Sequence, residues 1–217
     1  MHQKDLRDSE LYEACFRYKE KKSNFIFFSV LIAMLVALFS FRVWWTGSFG
    51  GVIVDGSSMN NTLYDGEKLL MRYANEKKRA ARGDVIVVYV GDYPECNSVN
   101  GDYLIKRLIA IEGDKVRCTD GQIEICYAGQ TEWTELDEPY ANYGTSYKTK
   151  YDFAEYEVGE GEIFFLGDNR SRDGSSMDSR YQEGMSHLDR LYKVEDIYGV
   201  VPDWAIEYNQ ILSKIFF

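Results

Sequence analysis

The sequence predicts a mainly β protein in which a single N-terminal transmembrane helix precedes an antiparallel, β-rich domain with an inserted accessory lobe. Three observations predict this class. Residues 25–41 form an uncharged apolar run, which is typical of a membrane anchor. The rest of the 217-residue chain contains short runs of β-branched and aromatic residues separated by glycine and aspartate, a pattern typical of strands joined by tight turns. No long stretch of this remainder has the apolar period of an amphipathic helix.

The apolar run reads FIFFSVLIAMLVALFSF and contains 17 residues. At about 1.5 Å per residue it just spans a hydrocarbon core, and Val43, Trp44 and Trp45 lengthen it to an anchor at residues 25–45. Arg42 can extend its side chain to the interface, where tryptophans are also favoured. A cleaved signal peptide is disfavoured because no small-x-small cleavage site follows. A buried core helix is disfavoured because the run is apolar on every face.

The charges on the two sides of the anchor predict its orientation. Residues 1–24 hold six Lys/Arg and five Asp/Glu, a net charge of +1. Since the whole chain has a net charge of −10, the remaining residues carry −11. By the positive-inside rule, residues 1–24 form a cytoplasmic tail and residues 46–217 lie outside. The sequence therefore predicts a single-pass plasma-membrane protein with a cytoplasmic N-terminus. The acidic balance also argues against nucleic acid as a partner, since phosphate binding needs a basic face.

Residues 46–217 are predicted to form one extracytoplasmic domain that follows a flexible exit at residues 46–51. Its core comprises about residues 50–114 and 161–201, and an acidic, Tyr-rich accessory insertion comprises about residues 115–160. Strands are predicted at residues 51–54, 67–73, 84–90, 103–112, 115–117, 122–127, 162–166 and 194–201. The C-terminal apolar residues 211–217 are predicted to form a core strand, with a membrane-touching tail as the alternative.

The four cysteines lie on both sides of the anchor. Cys15 falls on the reducing side, whereas Cys96, Cys118 and Cys126 fall outside. The last two flank a predicted hairpin turn at residues 120–121 and could form a disulfide, although they are not directly opposite each other. No Cys/His spacing resembles a metal site, and the sequence predicts neither a metal nor a cofactor.

The stretch at residues 54–63, VDGSSMNNTL, contains two adjacent serines that are candidate nucleophiles. A histidine could activate one of them, but the chain holds only His2, on the cytoplasmic side, and His187, in a polar stretch. A lysine can act instead if burial lowers its pKa from about 10.4. Lys106 lies within the apolar run YLIKRLI, on the same strand face as Leu104. The alternative interpretation of Lys106 is an ordinary charge on an edge strand.

Four segments, in order behind the anchor, resemble the type I signal peptidases, the membrane-bound Ser-Lys serine proteases that remove signal peptides. They read GSSMNNTL at residues 56–63, RGDVIV at 82–87, YLIKRLIAIEGD at 103–114, and GDNR at 167–170 followed by SMDSR at 176–180. The resemblance covers nearly all of residues 25 to 201. Each motif alone is weakly specific, whereas four in family order behind an anchor are strongly specific.

The resemblance implies that Ser58, directly before Met59, is the catalytic nucleophile and that Lys106 is its general base. It implies the backbone N–H of Ser58 as an oxyanion donor. Gly56 occupies the position where some members add a hydroxyl to the oxyanion site, so this chain lacks that donor. Asn61 stands where the family has proline; asparagine is compatible with a turn but leaves the loop less pre-organised.

The resemblance also implies supporting residues in the last motif. The hydroxyl of Ser176 would orient the lysine, and Asp178 with Arg180 would form an ion pair beneath the site. Five residues precede Ser176 after GDNR where the family commonly has two, which makes Ser175 the alternative. Residues 168–170 are interpreted as structural, with turn chemistry and an Asx cap.

The substrate is predicted to bind as an added strand between residues 52–56 and residues 103–105. The resemblance implies shallow apolar pockets for small side chains at the −1 and −3 positions, an Ala-x-Ala pattern. The predicted substrate-binding residues are Gly56, Met59, Leu104 and Ile105.

The predicted function is removal of N-terminal signal peptides from secreted preproteins by a membrane-bound endopeptidase that forms an acyl-enzyme. The predicted partners are preprotein signal peptides, the lipid bilayer and the secretion translocon. One alternative is a non-catalytic relative that assists surface-protein or pilus assembly; such relatives lose the serine or the lysine, and both are kept here. The other is a self-cleaving Ser-Lys repressor, but residues 1–24 are too short for its DNA-binding domain.

Overall fold

The computed structural model of the chain describes residues 2–74, 80–90, 103–144, 152–171, 179 and 192–216, with side chains from residue 12 onward. The chain divides into two compact units, Met1–Ser48 and Phe49–Phe217.

The first unit is one helix, α1, which runs from His2 to Ser48. Its part from Tyr12 to Ser48 is long and apolar enough to cross a membrane, so the anchor lies within a helix that extends beyond it on both sides. The predicted flexible exit at residues 46–51 is wrong. The Thr46 hydroxyl donates back to the Arg42 carbonyl at 3.0 Å inside the last helical turns, and a strand begins directly afterwards at Phe49.

In its described residues, the second unit contains ten strands and two short helices. The strands are β1 (Phe49–Ile53), β2 (Lys68–Tyr73), β3 (Val85–Tyr89), β4 (Tyr103–Ile111), β5 (Lys115–Thr119), β6 (Gln122–Cys126), β7 (Thr134–Glu135), β8 (Phe153–Glu157), β9 (Ile163–Leu166) and β10 (Ile197–Val201). A 3₁₀ turn at Val194–Asp196 precedes β10, and the helices α2 (Asp203–Glu207) and α3 (Asn209–Phe216) end the chain.

The strands form two antiparallel sheets. The six-stranded sheet has the order β1-β2-β10-β3-β4-β9, and the four-stranded sheet has the order β7-β6-β5-β8. Every strand pair in both sheets is antiparallel. The predicted fold class, an N-terminal apolar helix followed by antiparallel β structure, is confirmed.

The four-stranded sheet occupies the part of the chain predicted as an accessory insertion. Its central hairpin turns at Asp120 and Gly121, whose φ values of 53° and 76° are the left-handed pair that a tight two-residue hairpin requires. Ile123 and Ile125 of this sheet are fully buried in one cluster with Ile109 of β4 and Phe164 of β9. The two sheets therefore share one apolar core, which holds β4 and β9 in place from one side.

A second apolar cluster packs the six-stranded sheet internally. Ile86 and Val88 of β3, Leu108 of β4 and Phe165 of β9 are buried in it, and Leu104 packs against it. Since side chains alternate along a strand, Lys106 lies between Leu104 and Leu108 on the same face of β4. An apolar surface thus flanks this lysine along its own strand.

Two predictions about the rest of the unit are wrong. The C-terminal residues form helix α3 rather than a core strand, and no residue of α3 is buried. Its apolar residues fall at 211, 212, 215 and 216, which is a helical rather than an alternating spacing. The disulfide is also absent: Cys118 and Cys126 are both free and buried, because Cys118 pairs across the hairpin with Ile123. Cys96 lies outside the described residues.

Candidate active site

The loop between β1 and β2 presents the two candidate serines. The Val54 N–H donates to the Glu67 carbonyl at 2.9 Å, and the Gly66 N–H donates to the Val54 carbonyl at 2.9 Å, so the loop is closed at its base. Met59 and Leu63 are buried and anchor its centre, where the Leu63 N–H donates to the Met59 carbonyl at 2.9 Å. Within this anchored turn Ser57 is exposed, while Ser58 is half-buried.

Strand β4 brings Lys106 to Ser58. The Nζ atom of Lys106 lies 2.6 Å from the Oγ atom of Ser58, although the two residues are 48 positions apart in the chain. The neighbouring strand fixes the position of the lysine, because Lys106 is in register with Ile86 of β3. The contact with Ser58 and the burial that lowers its pKa distinguish Lys106 from an ordinary charge on an edge strand.

The lysine has an environment suited to a base. Burial lowers the pKa of Lys106 to about 8, and the negative charge of Asp168 acts in the opposite direction. Among the described residues no carboxylate forms an ion pair with it. The side chain can therefore release its proton near neutral pH, and a neutral amine at hydrogen-bond distance can accept the proton of a serine hydroxyl.

A cleft of about 480 Å³ opens at this pair. Among the predicted substrate-binding residues, Met59, Leu104 and Ile105 line it, together with Val52 of β1. Gly56 is not among the residues that line it. The φ value of Gly56 is 88°, a conformation that favours glycine, and its N–H donates to the Asp65 carboxylate at 2.8 Å.

Three tyrosines that the motifs did not single out form one wall of the cleft: Tyr73, Tyr103 and Tyr198. Their rings pack on one another, with centroids 5.4 Å apart for Tyr73 and Tyr198 and 4.9 Å apart for Tyr103 and Tyr198. They come from three different strands, so nothing local in the sequence indicates that they meet.

A buried ion pair holds the loop between β1 and β2, the serine loop, close to β4. Arg107 binds Asp168 through both ends of its guanidinium, with Nε 2.8 Å from Oδ1 and Nη2 2.5 Å from Oδ2. The Thr62 hydroxyl donates to Asp168 Oδ2 at 2.5 Å, and Arg107 donates to the Gly83 carbonyl at 2.6 Å. Asp168 therefore joins β4 to the serine loop, a role that turn chemistry alone did not predict. The available signal was Arg107 itself, since a buried arginine needs a carboxylate partner.

A second buried ion pair ties the GDNR segment to residue 138. Arg170 is fully buried, with Nη1 3.0 Å from Glu138 Oε2 and Nη2 2.5 Å from Glu138 Oε1. Tyr140 and Tyr143 donate their hydroxyls to the same carboxylate at 3.1 and 3.2 Å. This network anchors the segment that carries Asp168.

Asn169 lies between the two ion pairs and contacts the candidate nucleophile. Its N–H donates to the Ser58 carbonyl at 3.0 Å, and its Nδ2 donates to the Ser57 carbonyl at 2.9 Å. Its Oδ1 accepts from the Ser171 N–H at 3.2 Å and from the Ser171 hydroxyl at 2.6 Å. The expected Asx turn is therefore present at Asn169, and the same side chain also reaches the serine loop.

Asn61, which stands where the family has proline, adopts a φ of 99°. Proline cannot reach this value. The Asn61 side chain donates to the Tyr140 carbonyl at 2.9 Å, which links the serine loop to the segment that follows Glu138. The residue that departs from the family pattern thus has a backbone conformation that the family's proline could not adopt.

The predicted supporting residues Ser176, Asp178 and Arg180 lie outside the described residues, as do Ser175 and His187. Ser179 is described and buried. The Ser179 N–H donates to the Phe165 carbonyl at 3.0 Å, and the Ser179 hydroxyl accepts from the Phe165 N–H at 3.3 Å. The SMDSR segment therefore touches β9 at this residue, and the roles of its other members stay predictions.

Comparison with known proteins adds independent observations. A family model described as "Signal peptidase, peptidase S26" matches residues 24–204. A signal peptidase I of Bacillus licheniformis is 33% identical over 175 residues, which cover 76% of this chain and 78% of that protein. The signal peptidase I T of Bacillus subtilis (strain 168) is 31% identical over 180 residues, which cover 76% and 77%. A crystal structure of a signal peptidase I from Enterococcus faecalis V583 matches 58% of this chain and 98% of its own, at 23% identity and a TM-score of 0.38.

Proposed function

The chain belongs to the signal peptidase family, peptidase S26, and is a peptidase that removes signal peptides; from this premise we propose that Ser58 and Lys106 perform the cleavage as a catalytic dyad. The resemblance of the four sequence motifs to this family is confirmed. The observation that carries the dyad is the distance of 2.6 Å between Lys106 Nζ and Ser58 Oγ. The lowered pKa of Lys106, about 8, supports it.

In the acylation step, the neutral Lys106 amine accepts the hydroxyl proton as Ser58 Oγ bonds to the carbonyl carbon of the residue before the cut. The carbonyl oxygen becomes an oxyanion, for which the Ser58 backbone N–H is the proposed donor. When the intermediate collapses, the scissile C–N bond breaks and Lys106 passes the proton to the leaving amine. The signal peptide stays attached to Ser58 as an ester.

In the deacylation step, Lys106 accepts a proton from a water molecule that attacks the ester carbon. The ester bond to Ser58 Oγ breaks, the proton returns to this oxygen, and the signal peptide leaves with a free carboxylate. Lys106 lines the cleft beside Ser58. This position supports its role in deacylation, because a water molecule in the cleft can reach both the amine and the ester carbon.

We propose that the signal peptide binds as an extended strand along the cleft. Val52 and Ile53 on one side and Leu104 and Ile105 on the other line the cleft. Among the described residues, β1 is the last strand of its sheet, and β9 pairs with β4 only from Arg107 onward. Both borders of the cleft therefore offer backbone groups to an added strand. The apolar lining fits apolar side chains, and the proposed preference for small residues at −1 and −3, the Ala-x-Ala pattern, comes from the family resemblance.

The membrane-anchored location follows from the family and from the apolar helix α1. We propose the orientation with residues 1–24 in the cytoplasm and the domain outside, on the basis of the basic residues before the apolar run. The lipid bilayer and the secretion translocon are the corresponding proposed partners. Anchoring enzyme and substrate in one membrane would raise their effective concentration.

The test uses the full chain in detergent and a preprotein with an Ala-x-Ala site. Ser58→Ala and Lys106→Ala should abolish cleavage, whereas the matched control Ser57→Ala should cleave like the parent, because the Ser57 side chain is exposed. Mass spectrometry of the product should place the cut after the second alanine. Cleavage that persists in either Ser58→Ala or Lys106→Ala would contradict the assignment of these two residues as the catalytic dyad. A parent inactive on several preproteins would favour the non-catalytic assembly factor.

A further inference from the structure

Asn169 makes contacts that bear on the backbone of the nucleophile rather than on its side chain. It is 4% exposed, and it donates to the two consecutive carbonyls of Ser57 and Ser58, through Nδ2 at 2.9 Å and through its N–H at 3.0 Å. The Ser57 carbonyl also accepts from the Asn60 N–H at 3.0 Å. Two donors from different segments therefore fix this single carbonyl.

The fixed carbonyl sets the direction of the Ser58 N–H. The Ser57 C=O and the Ser58 N–H belong to one peptide group, and in a planar trans peptide they point in opposite directions. The structure contains no cis peptide among the residues it describes. A Ser57 carbonyl held toward Asn169 thus holds the Ser58 N–H away from Asn169. Within the described part of the chain, that N–H donates to no other group.

Asn169 is itself held firmly. Its Oδ1 accepts two hydrogen bonds from Ser171, which assigns the opposite end of the amide, Nδ2, to the Ser57 carbonyl. Its backbone is held by the neighbouring peptides, since the Asn142 N–H donates to the Asp168 carbonyl at 2.7 Å and the Arg170 N–H donates to the Asn142 carbonyl at 2.7 Å. The donor that meets Ser57 is therefore fixed in place before any substrate binds.

We propose that Asn169 is a positioning residue that aims the Ser58 N–H at the oxyanion formed during cleavage. This inference rests on the proposed role of Ser58 as nucleophile. As Ser58 Oγ bonds to the carbonyl carbon, the π electrons move to the carbonyl oxygen, and a pre-aimed N–H stabilises the charge without reorganisation. Asn169 touches neither the substrate nor Lys106 and acts through the Ser57–Ser58 peptide.

Two variants and a remote control test the proposal in the full chain in detergent. Asn169→Asp keeps an acceptor for Ser171 but has no donor for the Ser57 carbonyl, and Asn169→Ala removes both. Asn209→Asp makes the same chemical change in α3, away from the cleft lining. We expect kcat to fall about 10- to 100-fold in both Asn169 variants, somewhat less than for complete loss of an oxyanion donor, and to stay within about twofold in Asn209→Asp.

The accompanying readouts separate positioning from general damage. KM should stay unchanged in both variants, because Asn169 does not line the substrate cleft. The midpoint of the pH profile should stay unchanged in Asn169→Ala, which adds no charge near Lys106. Ser58 Oγ adds to the carbonyl carbon of a peptide aldehyde and forms a hemiacetal, whose tetrahedral carbon carries the former carbonyl oxygen at the oxyanion position. The aldehyde should therefore lose affinity by the same factor as kcat, while the matching peptide alcohol keeps its affinity. Equal losses for aldehyde and alcohol, or a kcat within twofold of the parent in Asn169→Asp, would overturn the proposal.

The parent protein provides a test that depends on no variant. The Ser58 amide proton should exchange rapidly with solvent in the free protein and become protected in the aldehyde complex, as followed by amide hydrogen exchange. Rapid exchange in both states would overturn the proposal. The outcomes are distinguishable from failure of the proposed function: an inactive Ser58→Ala beside a fully active Asn169→Asp rejects only this inference, whereas an active Ser58→Ala rejects the dyad.

Discussion

Lys106 and Lys115 lie nine positions apart, on strands of the two different sheets, and have opposite electrostatic environments. Lys115 of β5 is partly exposed and lies 3.0 Å from Glu155 and 3.6 Å from Glu157, contacts that raise its pKa. Lys106 of β4 lies against Ser58 at 2.6 Å, and burial lowers its pKa to about 8. Both residues are lysines within strands, so neither the residue type nor the strand explains the difference. The contacts and burial of each side chain decide whether it is a candidate base or a surface charge.

Arg107, one position after Lys106, and Arg117, two positions after Lys115, show the same contrast. On the six-stranded sheet, Arg107 and Asp168 form a pair in which the carboxylate is fully buried. On the four-stranded sheet, the side chains of Arg117 and Glu124 stay 34% and 25% exposed. The first ion pair is surrounded by protein, and the second stays in contact with water. Lysine substitutions should therefore separate the two sheets by activity, and carboxylate substitutions should separate them by stability.

The largest difference is expected between Lys106→Ala and Lys115→Ala in preprotein cleavage. Loss of a general base should lower kcat by about 10²- to 10⁴-fold, whereas loss of Lys115 should change kcat by less than about twofold, because its side chain pairs with two surface glutamates and does not line the cleft. Initial rates at saturating substrate measure this, with circular dichroism as the control for folding. Similar losses in two folded variants would show that Lys106 has no special role.

The next difference is expected in the free energy of unfolding of Asp168→Ala and Glu124→Ala. Removing Asp168 leaves the Arg107 guanidinium buried without a carboxylate, which should cost about 3–5 kcal/mol. Removing Glu124 leaves Arg117 in contact with water and with the Trp133 ring, 4.1 Å from its guanidinium carbon, so the loss should be several times smaller. Urea titration of the full chain in detergent measures both, and equal losses would contradict the contrast between the sheets.

The third prediction concerns the serine loop, which connects β1 and β2 of the six-stranded sheet. Replacing Asn61 by the family's proline tests whether the observed backbone conformation matters. Asn61→Pro forces φ from 99° to about −65° and should strain the loop by about 1–3 kcal/mol, lowering both kcat and the melting temperature. Asn61→Gly accepts the observed φ and loses only the hydrogen bond to the Tyr140 carbonyl, so it should retain more activity. An Asn61→Pro variant more active than the parent would mean that the left-handed conformation is dispensable.

Features that depend on neighbouring residues were predictable from the sequence, and features that depend on distant residues were not. The strands follow from short apolar runs, and the hairpin follows from Asp120-Gly121, because each depends on neighbouring residues. Ser58 and Lys106 were identified through family motifs, and their proximity became visible only in the fold. The ion pair of Arg107 with Asp168 joins residues 61 positions apart, and no local pattern specifies such a partner.

Features that depend on packing against distant strands were missed or misassigned for the same reason. Asn169 was expected to cap a turn, and the turn is present, but its contact with Ser57 spans 112 positions. Helix α3 differs from the predicted strand because its apolar residues recur at helical spacing. Cys118 and Cys126 flank one hairpin, but the register places Cys118 opposite Ile123 and Cys126 opposite Lys115.

The smallest expected effect is a shift in the pH dependence of cleavage. The acting form of Lys106 is neutral, so kcat/KM should rise with pH to a midpoint near the pKa of about 8 and fall about tenfold per unit below it. Asp168 raises this pKa, so Asp168→Asn should move the midpoint to lower pH, while Lys115→Ala should leave it in place. A profile that is flat between pH 6 and 9, or a midpoint that moves upward in Asp168→Asn, would contradict a buried lysine base whose charge is tuned by that carboxylate.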